Sequence, residues 1–365
     1  MKKIVIDARG YQSTTGRYTR ELIRNLEALE GKKTEREYVI LLHKKEFADY
    51  TPGAKNFSKL VADFPHYGLA EQFSFLTFLN SLKADLVHFT MPQQPVFYRG
   101  THVSSVHDLT LLKTNPGNKN LLVYKLKQVV GTFVFKRIAN TSVKILTISE
   151  FTKDEYTALT GIDPEKIVVA YPSAGLPTVS ATPYSSMLDK QYIMYVGQQS
   201  SYKNLRRLMQ AHQQLLTSLP DLKLVFVGKP NPYGEKTKEW AEQQKFKNIV
   251  YTGFVNDGEL AWLYKNCGAY IFPSLMEGFG LPGLEAMTYD APVVSSNTTS
   301  LPEVYGNAAH YFDPENVDEM AEKIKDVLTD EKLRKKLIAN SKKQLKKFSW
   351  ERMAKQTLDV YKDNL

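Results

Sequence analysis

The chain of 365 residues has a single cysteine, Cys267, and this scarcity excludes a disulfide framework and any thiolate metal cluster. No stretch approaches the ~20 consecutive apolar residues that a membrane-spanning helix needs. The N-terminus, MKKIVIDARG, holds a short apolar run before Asp7, whereas a signal peptide needs an apolar region of ~7–15 residues. We therefore expect a cytoplasmic protein whose first residues form a strand.

Two common phosphate-binding motifs are also missing. No predicted strand is followed by G-x-G-x-x-G, which argues against a dehydrogenase. The motif G-x-x-x-x-G-K-[ST] is absent as well, which excludes an ATPase of the phosphate-loop type. The sequence shows no metal-ligand cluster either, so we expect neither a metal nor a resident cofactor.

Acidic residues are scarce in one part of the chain. The 48 Lys and Arg exceed the 39 Asp and Glu by 9, and residues 1–170 carry 7 of that surplus. No acid occurs between Asp108 and Glu150, although basic residues recur there. A basic balance favours a polyanionic partner. A nucleic-acid-binding protein is one alternative, but no recognised binding motif supports it, and we expect no nucleic-acid partner.

Short apolar segments alternate with helical patterns along the chain, which indicates parallel sheets covered on both faces. The predicted strands are 3–7, 38–43, 84–89, 102–108, 144–149, 167–172, 192–197, 222–228, 249–253, 269–274 and 292–296. We predict a first domain over 1–172, a Pro- and Ser-rich linker over 173–190, a second domain over 191–347 and a final helix over 348–365. Ligands of such sheets bind at the carboxyl ends of the strands.

The segment PSLMEGFGLPGLEAM (273–287) carries the densest chemical signal. Its glycines let the backbone approach a ligand, and Pro282 is typical of the first turn of a helix. The amides and positive dipole at a helix start bind anions. Glu277 precedes this helix, and Glu285 is expected in its first turn. A carboxylate that accepts hydrogen bonds from neighbouring hydroxyls commonly holds a sugar or a ribose. The pieces fit a phosphorylated sugar, while a turn with two solvated glutamates is an equal alternative on spacing alone.

Residues 253–316 resemble the C-terminal domain of retaining glycosyltransferases of family 4, which have the GT-B fold. Glu277 and Glu285, with seven residues between them, match the paired-glutamate motif of that family. Shorter matches follow in order along the chain: TTGRYTREL (14–22), VHDLTLL (106–112), TISEFTKDEY (147–156), YVGQQSSYKNL (195–205) and FSWERMAKQTLDVY (348–361). The resemblance implies two Rossmann-like, doubly wound α/β domains facing each other across a cleft.

The resemblance also implies transfer of a sugar from a nucleoside-diphosphate donor, with retention at the anomeric carbon. The second domain would bind the donor, and the first would bind a glycan or lipid-linked acceptor of envelope polysaccharide or glycolipid synthesis. Front-face attack and double displacement through a carboxylate both fit retention. A sugar-nucleotide epimerase and a glycan phosphorylase with pyridoxal phosphate are alternatives on the same architecture.

Individual roles follow from the matched positions. The resemblance implies catalytic roles for His107, Lys203 and Glu277, with Lys203 neutralising the leaving diphosphate. The donor-binding residues that it implies are Gly16, Lys203, Gly253, Phe254, Val255, Glu277, Gly278, Phe279, Gly280, Leu281 and Glu285.

The sequence departs from the family pattern at two positions. Thr14 stands where the family usually has a glycine, and Tyr202 stands where it usually has an arginine before the lysine. The donor diphosphate would therefore lack one bidentate contact unless Arg206 or Lys229 supplies it.

The segment 119–138 is predicted to form a helix that combines apolar stripes with lysines. At about 100° per residue, one stripe is assigned to the core: Leu122, Leu126, Val129, Val130 and Phe133. The other side is predicted to meet an anionic membrane surface that presents the acceptor. The acceptor or membrane residues predicted there are Asp108, Tyr124, Lys125, Phe135 and Lys136. A helix buried on both sides is the alternative. We expect a protein at the inner face of the cell membrane.

Overall fold

The computed structural model describes all residues except 14–15, 33–34, 115–120 and 175–178, and describes 121–123 without their side chains. Its strands are β1 Lys2–Asp7, β2 Arg36–Leu42, β3 Phe57–Val61, β4 Leu86–Phe89, β5 His102–Val106, β6 Lys144–Thr147, β7 Ile167–Val169, β8 Tyr192–Val196, β9 Lys223–Val227, β10 Ile249–Gly253, β11 Ala269–Phe272, β12 Val293–Ser296 and β13 Ala309–Phe312. Its α-helices are α1 Gly16–Glu30, α2 Leu76–Ser81, α3 Thr110–Lys113, α4 Leu121–Thr141, α5 Glu150–Thr160, α6 Leu205–Leu215, α7 Pro232–Gln243, α8 Asp257–Asn266, α9 Leu281–Thr288, α10 Leu301–Tyr305, α11 Val317–Thr329, α12 Glu331–Leu345 and α13 Trp350–Asp363.

The first compact unit consists of residues 1–112, 121–172 and 349–365. Its parallel sheet has the order β3-β2-β1-β4-β5-β6-β7, with α13 packed on α1. His88 of β4 contacts the Tyr361 hydroxyl of α13 at 2.6 Å, so the C-terminal helix is fastened to the centre of this sheet. The strand order reverses between β1 and β4, where a doubly wound sheet binds its ligands.

The second compact unit is built mainly from residues 173–348. Its parallel sheet has the order β10-β9-β8-β11-β12-β13, and the order reverses between β8 and β11. The central strands β8, β9, β11 and β12 are almost wholly buried, which explains why their sequences are continuous apolar runs. The predicted α/β class with two doubly wound sheets is thus confirmed.

The predicted helix over 119–138 exists as α4, but the assignment of its two faces is wrong. Leu126, Val129, Val130 and Phe133 are between 53% and 68% exposed, whereas Phe135 is 7% exposed. Phe135 packs edge-on against Tyr156 of α5, with ring centres 5.8 Å apart.

Both long faces of α4 are apolar, so periodicity alone could not rank them. The small Ala139 and the branched Ile138 lie beside Phe135 and let α4 pack closely on α5 and the sheet. Tyr124 also faces inward, because its hydroxyl donates to the Leu112 carbonyl at 3.2 Å. The predicted membrane residues Tyr124 and Phe135 therefore do not form an outer surface, although Lys125 and Lys136 are exposed.

Candidate active site

The loops at the strand-order reversal of the second sheet bring two predicted site residues together. Lys203 follows β8 and Glu277 follows β11, so each lies at the carboxyl end of one of the two central strands. The Lys203 Nζ lies 2.6 Å from the Glu277 Oε1. Both side chains are largely buried, at 14% and 13% exposure. A charged pair therefore lies where an α/β sheet of this type binds ligands.

The Lys203 ammonium is held in its charged form. Burial alone would lower its pKa, but the Glu277 carboxylate and the neighbouring Tyr195 and Tyr202 outweigh burial and raise it. The Nζ also lies 5.1 Å from the Tyr202 ring centre and 5.4 Å from that of Phe272. A desolvated, fixed cation of this kind interacts with an anionic ligand more strongly than an ammonium in water does.

The loop that carries Glu277 is fixed by hydrogen bonds from the loop after β12. Ser300 Oγ donates to the Glu277 carbonyl at 3.0 Å, and the Glu277 amide donates to Thr299 Oγ1 at 3.3 Å. On the other side, the Leu275 amide donates to the Tyr202 carbonyl at 2.8 Å. Tyr202 thus supports this loop through its backbone, a contact that does not require the arginine usual at this position.

Helix α9 begins directly after Gly280, whose φ of 108° favours glycine. A Cβ on Gly280 would lie 2.5 Å from the Tyr305 hydroxyl, which donates to the Gly280 carbonyl at 2.6 Å. A Cβ on Gly283 would collide with the same ring. These glycines let α9 start against Tyr305 with its amino end at the strand-order reversal, and the prediction of a helix with Pro282 in its first turn is confirmed.

Glu285 lies on the second turn of α9, not on the first turn as predicted, because the helix begins at Leu281. Its side chain is 9% exposed, and its Oε2 lies 3.5 Å from the Tyr264 hydroxyl. Burial raises the pKa of Tyr264, and the Glu285 carboxylate raises it further. Tyr264 therefore remains a neutral donor that orients Glu285.

A pocket of about 300 Å³ opens at the carboxyl ends of β9 and β10 in the same unit. It is lined by Gln199, Phe226, Gly228, Pro230, Gly234, Glu235, Lys238, Tyr251, Thr252 and Gly253. Within the described residues, the Gln199 Oε1 and the Tyr251 hydroxyl are buried and have no hydrogen-bond partner. Buried polar atoms are normally paired, so these two atoms in the lining of the pocket are candidates for contact with a ligand.

Gly253 was predicted from the family resemblance, whereas the polar residues that line this pocket were not predicted. Gln199 is held in place by Asn231, whose amide donates to the Gln199 carbonyl at 2.8 Å. Asn231 in turn caps α7 by accepting from the Gly234 amide at 2.7 Å. An Asn-Pro pair is typical of a helix start and was the available signal for Asn231, whose side chain joins the start of α7 to the loop after β8.

The remaining predicted donor residues lie in four places. Phe254 is 73% exposed, and the Lys229 ammonium lies 5.2 Å from its ring centre at the edge of the pocket. Val255 is 8% exposed and Phe279 is 3% exposed, so their side chains belong to the interior. Gly278 lies in the loop after β11, and Leu281 is the first residue of α9.

The two candidate substitutes for the missing arginine differ in their contacts. The Arg206 guanidinium lies 5.0 Å from the ring centre of Trp240 on α7. Lys229 lies between Gly228 and Pro230 in the sequence, and both of these residues line the pocket. Lys229 is therefore the better placed of the two to meet a ligand in the pocket.

In the first unit, His107 follows β5 and is buried at 7% exposure. Its Nε2 contacts the Thr90 carbonyl at 2.8 Å, so this nitrogen carries the proton. Burial lowers the pKa of His107, although the Thr90 carbonyl and Asp108 oppose this effect. The ring also packs edge-on against Tyr18 of α1, with centres 4.6 Å apart. His107 is thus a neutral donor near the strand-order reversal of the first sheet.

Two further predicted residues of the first unit have local structural partners. A Cβ on Gly16 would collide with the Tyr11 carbonyl, so glycine is needed for the turn that leads into α1. The Asp108 Oδ1 accepts a hydrogen bond at 2.8 Å from the amide of Thr110, the first residue of α3. Thr14, the other departure from the family pattern, falls outside the described residues.

Neither metal-ligand geometry nor a membrane-spanning helix is found in the described part of the chain. There, no group of three His, Cys, Asp or Glu side chains is placed to hold a metal ion. No helix in the same ranges combines the length and apolarity that crossing a membrane requires.

Comparison with known proteins gives concordant matches. Residues 183–344 match the family described as glycosyl transferases group 1. The chain is 34% identical over 228 residues to the O-antigen chain mannosyltransferase B of Escherichia coli, covering 60% of each chain. It is 32% identical over 230 residues to the serotype-specific mannosyltransferase WbdA of Escherichia coli, covering 60% of this chain and 28% of that protein. The matched part thus spans less than two thirds of either relative.

Solved structures match over the whole chain. Sucrose-phosphate synthase from Thermosynechococcus elongatus superposes with a TM-score of 0.77 at 16% identity, covering 100% of this chain and 99% of that one. At such low identity the match concerns the fold alone, and it confirms the predicted GT-B fold class.

Proposed function

We propose that this chain, whose residues 183–344 match the group-1 glycosyltransferase family, transfers a hexose from a nucleoside-diphosphate donor to an envelope glycan or lipid-linked acceptor, with retention. The observation that carries the proposal is the buried Lys203–Glu277 pair at the strand-order reversal of the second sheet. Mannose is the favoured sugar, because the matched Escherichia coli relatives are described as mannosyltransferases.

The pocket in the second unit suits the nucleoside of the donor. Its volume of about 300 Å³ lies at the small end of ligand pockets. The unpartnered Gln199 Oε1 accepts a hydrogen bond, and the Tyr251 hydroxyl either donates or accepts one. A nucleobase offers both kinds of group on a planar edge. We assign Glu285 to hydrogen bonds with the ribose hydroxyls. The exposed ring of Phe254, together with Lys229, is assigned to contact with the solvent-facing side of the base.

Cleavage of a glycosyl phosphate builds positive charge on the sugar and negative charge on the departing diphosphate. In this proposal Lys203 exchanges its contact with Glu277 for the diphosphate oxygens, and the amino end of α9 adds its positive dipole. The released Glu277 carboxylate then accepts hydrogen bonds from sugar hydroxyls. In the free protein the ion pair keeps both side chains charged. Lys203 is then available to the leaving group, and Glu277 to the sugar hydroxyls, when the donor binds.

His107 is a weak base, because burial lowers its pKa, although the hydrogen bond from its protonated Nε2 to the Thr90 carbonyl opposes this effect. A neutral imidazole held in one tautomer is suited to hydrogen bonding with the acceptor or the donor sugar. We assign it an orienting role near the reacting sugar. The acceptor proton leaves with the diphosphate oxygen in the front-face route that this assignment favours.

A thermal-shift screen with GDP-, UDP-, ADP- and dTDP-sugars tests the donor assignment. One nucleotide should raise the unfolding midpoint, since a ligand at about 100 times its Kd stabilises the native state by about 2.7 kcal/mol. Glu285→Ala should abolish the shift, whereas Glu322→Ala, an exposed glutamate on α11 of the same unit, should retain it. Absence of any shift at millimolar concentration, or an unchanged shift in Glu285→Ala, would refute the assignment.

A further inference from the structure

Within the first unit, buried side-chain contacts join the C-terminal helix α13 to His107. The Tyr361 hydroxyl of α13 contacts the His88 Nδ1 at 2.6 Å, and the His88 Nε2 contacts the Ser105 Oγ at 2.9 Å. The Ser105 Oγ lies 3.1 Å from the Tyr18 hydroxyl of α1. The Tyr18 ring in turn meets the His107 ring edge-on, with ring centres 4.6 Å apart. A continuous path of contacts thus leads from the end of the chain to a predicted site residue.

Helix α13 reaches Tyr18 by a second contact. The Tyr18 hydroxyl is also hydrogen-bonded to Thr357, which lies one turn before Tyr361 on the same helix. The Thr357 Oγ1 gives its own proton to the Met353 carbonyl at 2.9 Å, so it accepts from Tyr18. We call the joined side chains the buried network: Tyr18, His88, Ser105, Thr357 and Tyr361. None of them is more than 4% exposed.

The protons of the buried network can be placed in one order that leaves none of them unused. Burial lowers the pKa of His88 to about 3, so this ring is neutral and carries a single proton. Since Tyr18 donates to Thr357, it accepts from Ser105, which accepts from the His88 Nε2. The His88 Nδ1 then accepts from Tyr361. The reverse order would leave the Tyr361 proton without an acceptor among the described residues.

The orientation of the His107 ring depends on this network. Its Nε2 is held by the Thr90 carbonyl at 2.8 Å, and its own carbonyl accepts from the Thr152 Oγ1 at 3.2 Å. These two contacts fix the main chain and one ring nitrogen, but the ring could still tilt about the first of them. Edge-on packing against Tyr18 opposes that tilt. The position of Tyr18 is set by hydrogen bonds, and satisfied buried networks of this kind are rigid.

We propose that α13 positions the His107 imidazole for sugar transfer through the buried network, with Tyr18 as the positioning residue that contacts it. The proposal rests on the proposed function, in which His107 has an orienting role near the reacting sugar. It gives the last helix of the chain a part in the reaction in addition to its packing on α1. A change in the network should therefore slow turnover and spare donor affinity, because the pocket proposed for the donor lies in the second unit.

The split between kcat and KM distinguishes positioning from a merely structural role. Tyr18→Leu removes the ring and should lower kcat about ten- to a hundredfold with little change in the KM for the donor, since a misplacement of about 1 Å can cost about 100-fold. Tyr18→Phe keeps the ring and should restore most of the turnover. Tyr98→Leu is the matched control, because Tyr98 is also 4% exposed and packs edge-on against a different histidine, His102. It should retain the wild-type kcat.

Nitrogen-15 NMR of the histidine rings tests the link to α13 without any substrate. Tyr361→Phe keeps the ring of residue 361 but removes the donor to the His88 Nδ1, so the His88 proton is no longer confined to Nε2. The ring signals of His107 should shift together with those of His88, although residue 361 does not touch His107.

Unchanged His107 signals in Tyr361→Phe would overturn the role of α13. A wild-type kcat in Tyr18→Leu, or an equal loss of kcat in Tyr98→Leu, would overturn the role of Tyr18. A wild-type protein that transfers sugar from no nucleotide donor would refute the proposed function, and this failure is distinct because the NMR comparison requires no turnover.

Discussion

At the residue scale, two unpartnered polar atoms distinguish the pocket of the second unit, which is proposed to bind the donor. A buried hydroxyl without a partner destabilises the free protein, because its desolvation is not compensated. The Tyr251 hydroxyl is in this state, and burial raises its pKa to about 12, so it stays protonated at neutral pH. We therefore expect the ligand to supply the missing partner.

Tyr251→Phe should consequently raise the stability of the free protein while lowering donor affinity. The lost hydrogen bond corresponds to about 0.5–1.5 kcal/mol, a roughly two- to twelvefold increase in Kd. Tyr270→Phe is the matched control, because the Tyr270 hydroxyl is also buried and unpartnered among the described residues but does not line the pocket. Titration calorimetry and urea unfolding would measure both effects. Equal donor affinity in Tyr251→Phe and wild type would count against a ligand contact at this hydroxyl.

At the element scale, the sequence best predicts segments that are buried on all sides, because every residue in them is then apolar. Strands buried on both faces were found because they are short apolar runs, and α9 was found from its glycines and Pro282. The edge strand β3 was missed, since Ser58 and Lys59 interrupt its apolar pattern. The faces of α4 were exchanged because packing against Tyr156, a tertiary contact, decides which apolar stripe is buried.

The pocket lining shows the same limit of sequence reasoning. Gln199 and Tyr251 lie far apart in the sequence, and no motif connects them. They share a pocket because β8, β9 and β10 are neighbours in the sheet, so their carboxyl ends lie side by side. Lys203 and Glu277 could be named from the family resemblance, but their 2.6 Å contact required the strand order of the sheet.

The start of α9 gives a prediction about the element itself. Gly280→Ala should destabilise the second unit by about 3 kcal/mol, because a positive φ and a collision with Tyr305 act together. Gly253→Ala is the comparison, since Gly253 has a φ of 69° but open space around its Cβ position. It should cost only about 1 kcal/mol. Urea unfolding would compare the two variants, and equal losses would show that Tyr305 does not constrain this helix start.

At the scale of the whole molecule, buried neutral histidines predict how stability depends on pH. Burial lowers the pKa of His88 to about 3 and that of His212 to about 4. The unfolded chain takes up protons below the ordinary histidine pKa of about 6.5, whereas these folded-state groups do not. The free energy of unfolding is therefore unaffected by these two histidines above that pH, and it decreases as the pH falls toward 4.

Each of these two histidines should reduce the free energy of unfolding by about 2 kcal/mol between pH 6.5 and pH 5. His212→Gln retains a donor for the Leu222 carbonyl, which the His212 Nε2 contacts at 3.1 Å, and removes the titration. Urea unfolding over this pH range should show a shallower dependence for this variant than for the wild type. Identical pH dependence in the two proteins would exclude the assigned role of His212.

Proton NMR of donor consumption tests the central claim most directly. With the nucleotide sugar that stabilises the protein, the first sugar released should carry the anomeric configuration of the donor, together with nucleoside diphosphate. Lys203→Met should slow this release by about 100- to 1,000-fold, as expected for loss of a charge that stabilises the leaving group. First release of the opposite anomer, formation of a different sugar nucleotide, or an undiminished rate in Lys203→Met would contradict retaining transfer at the Lys203–Glu277 site.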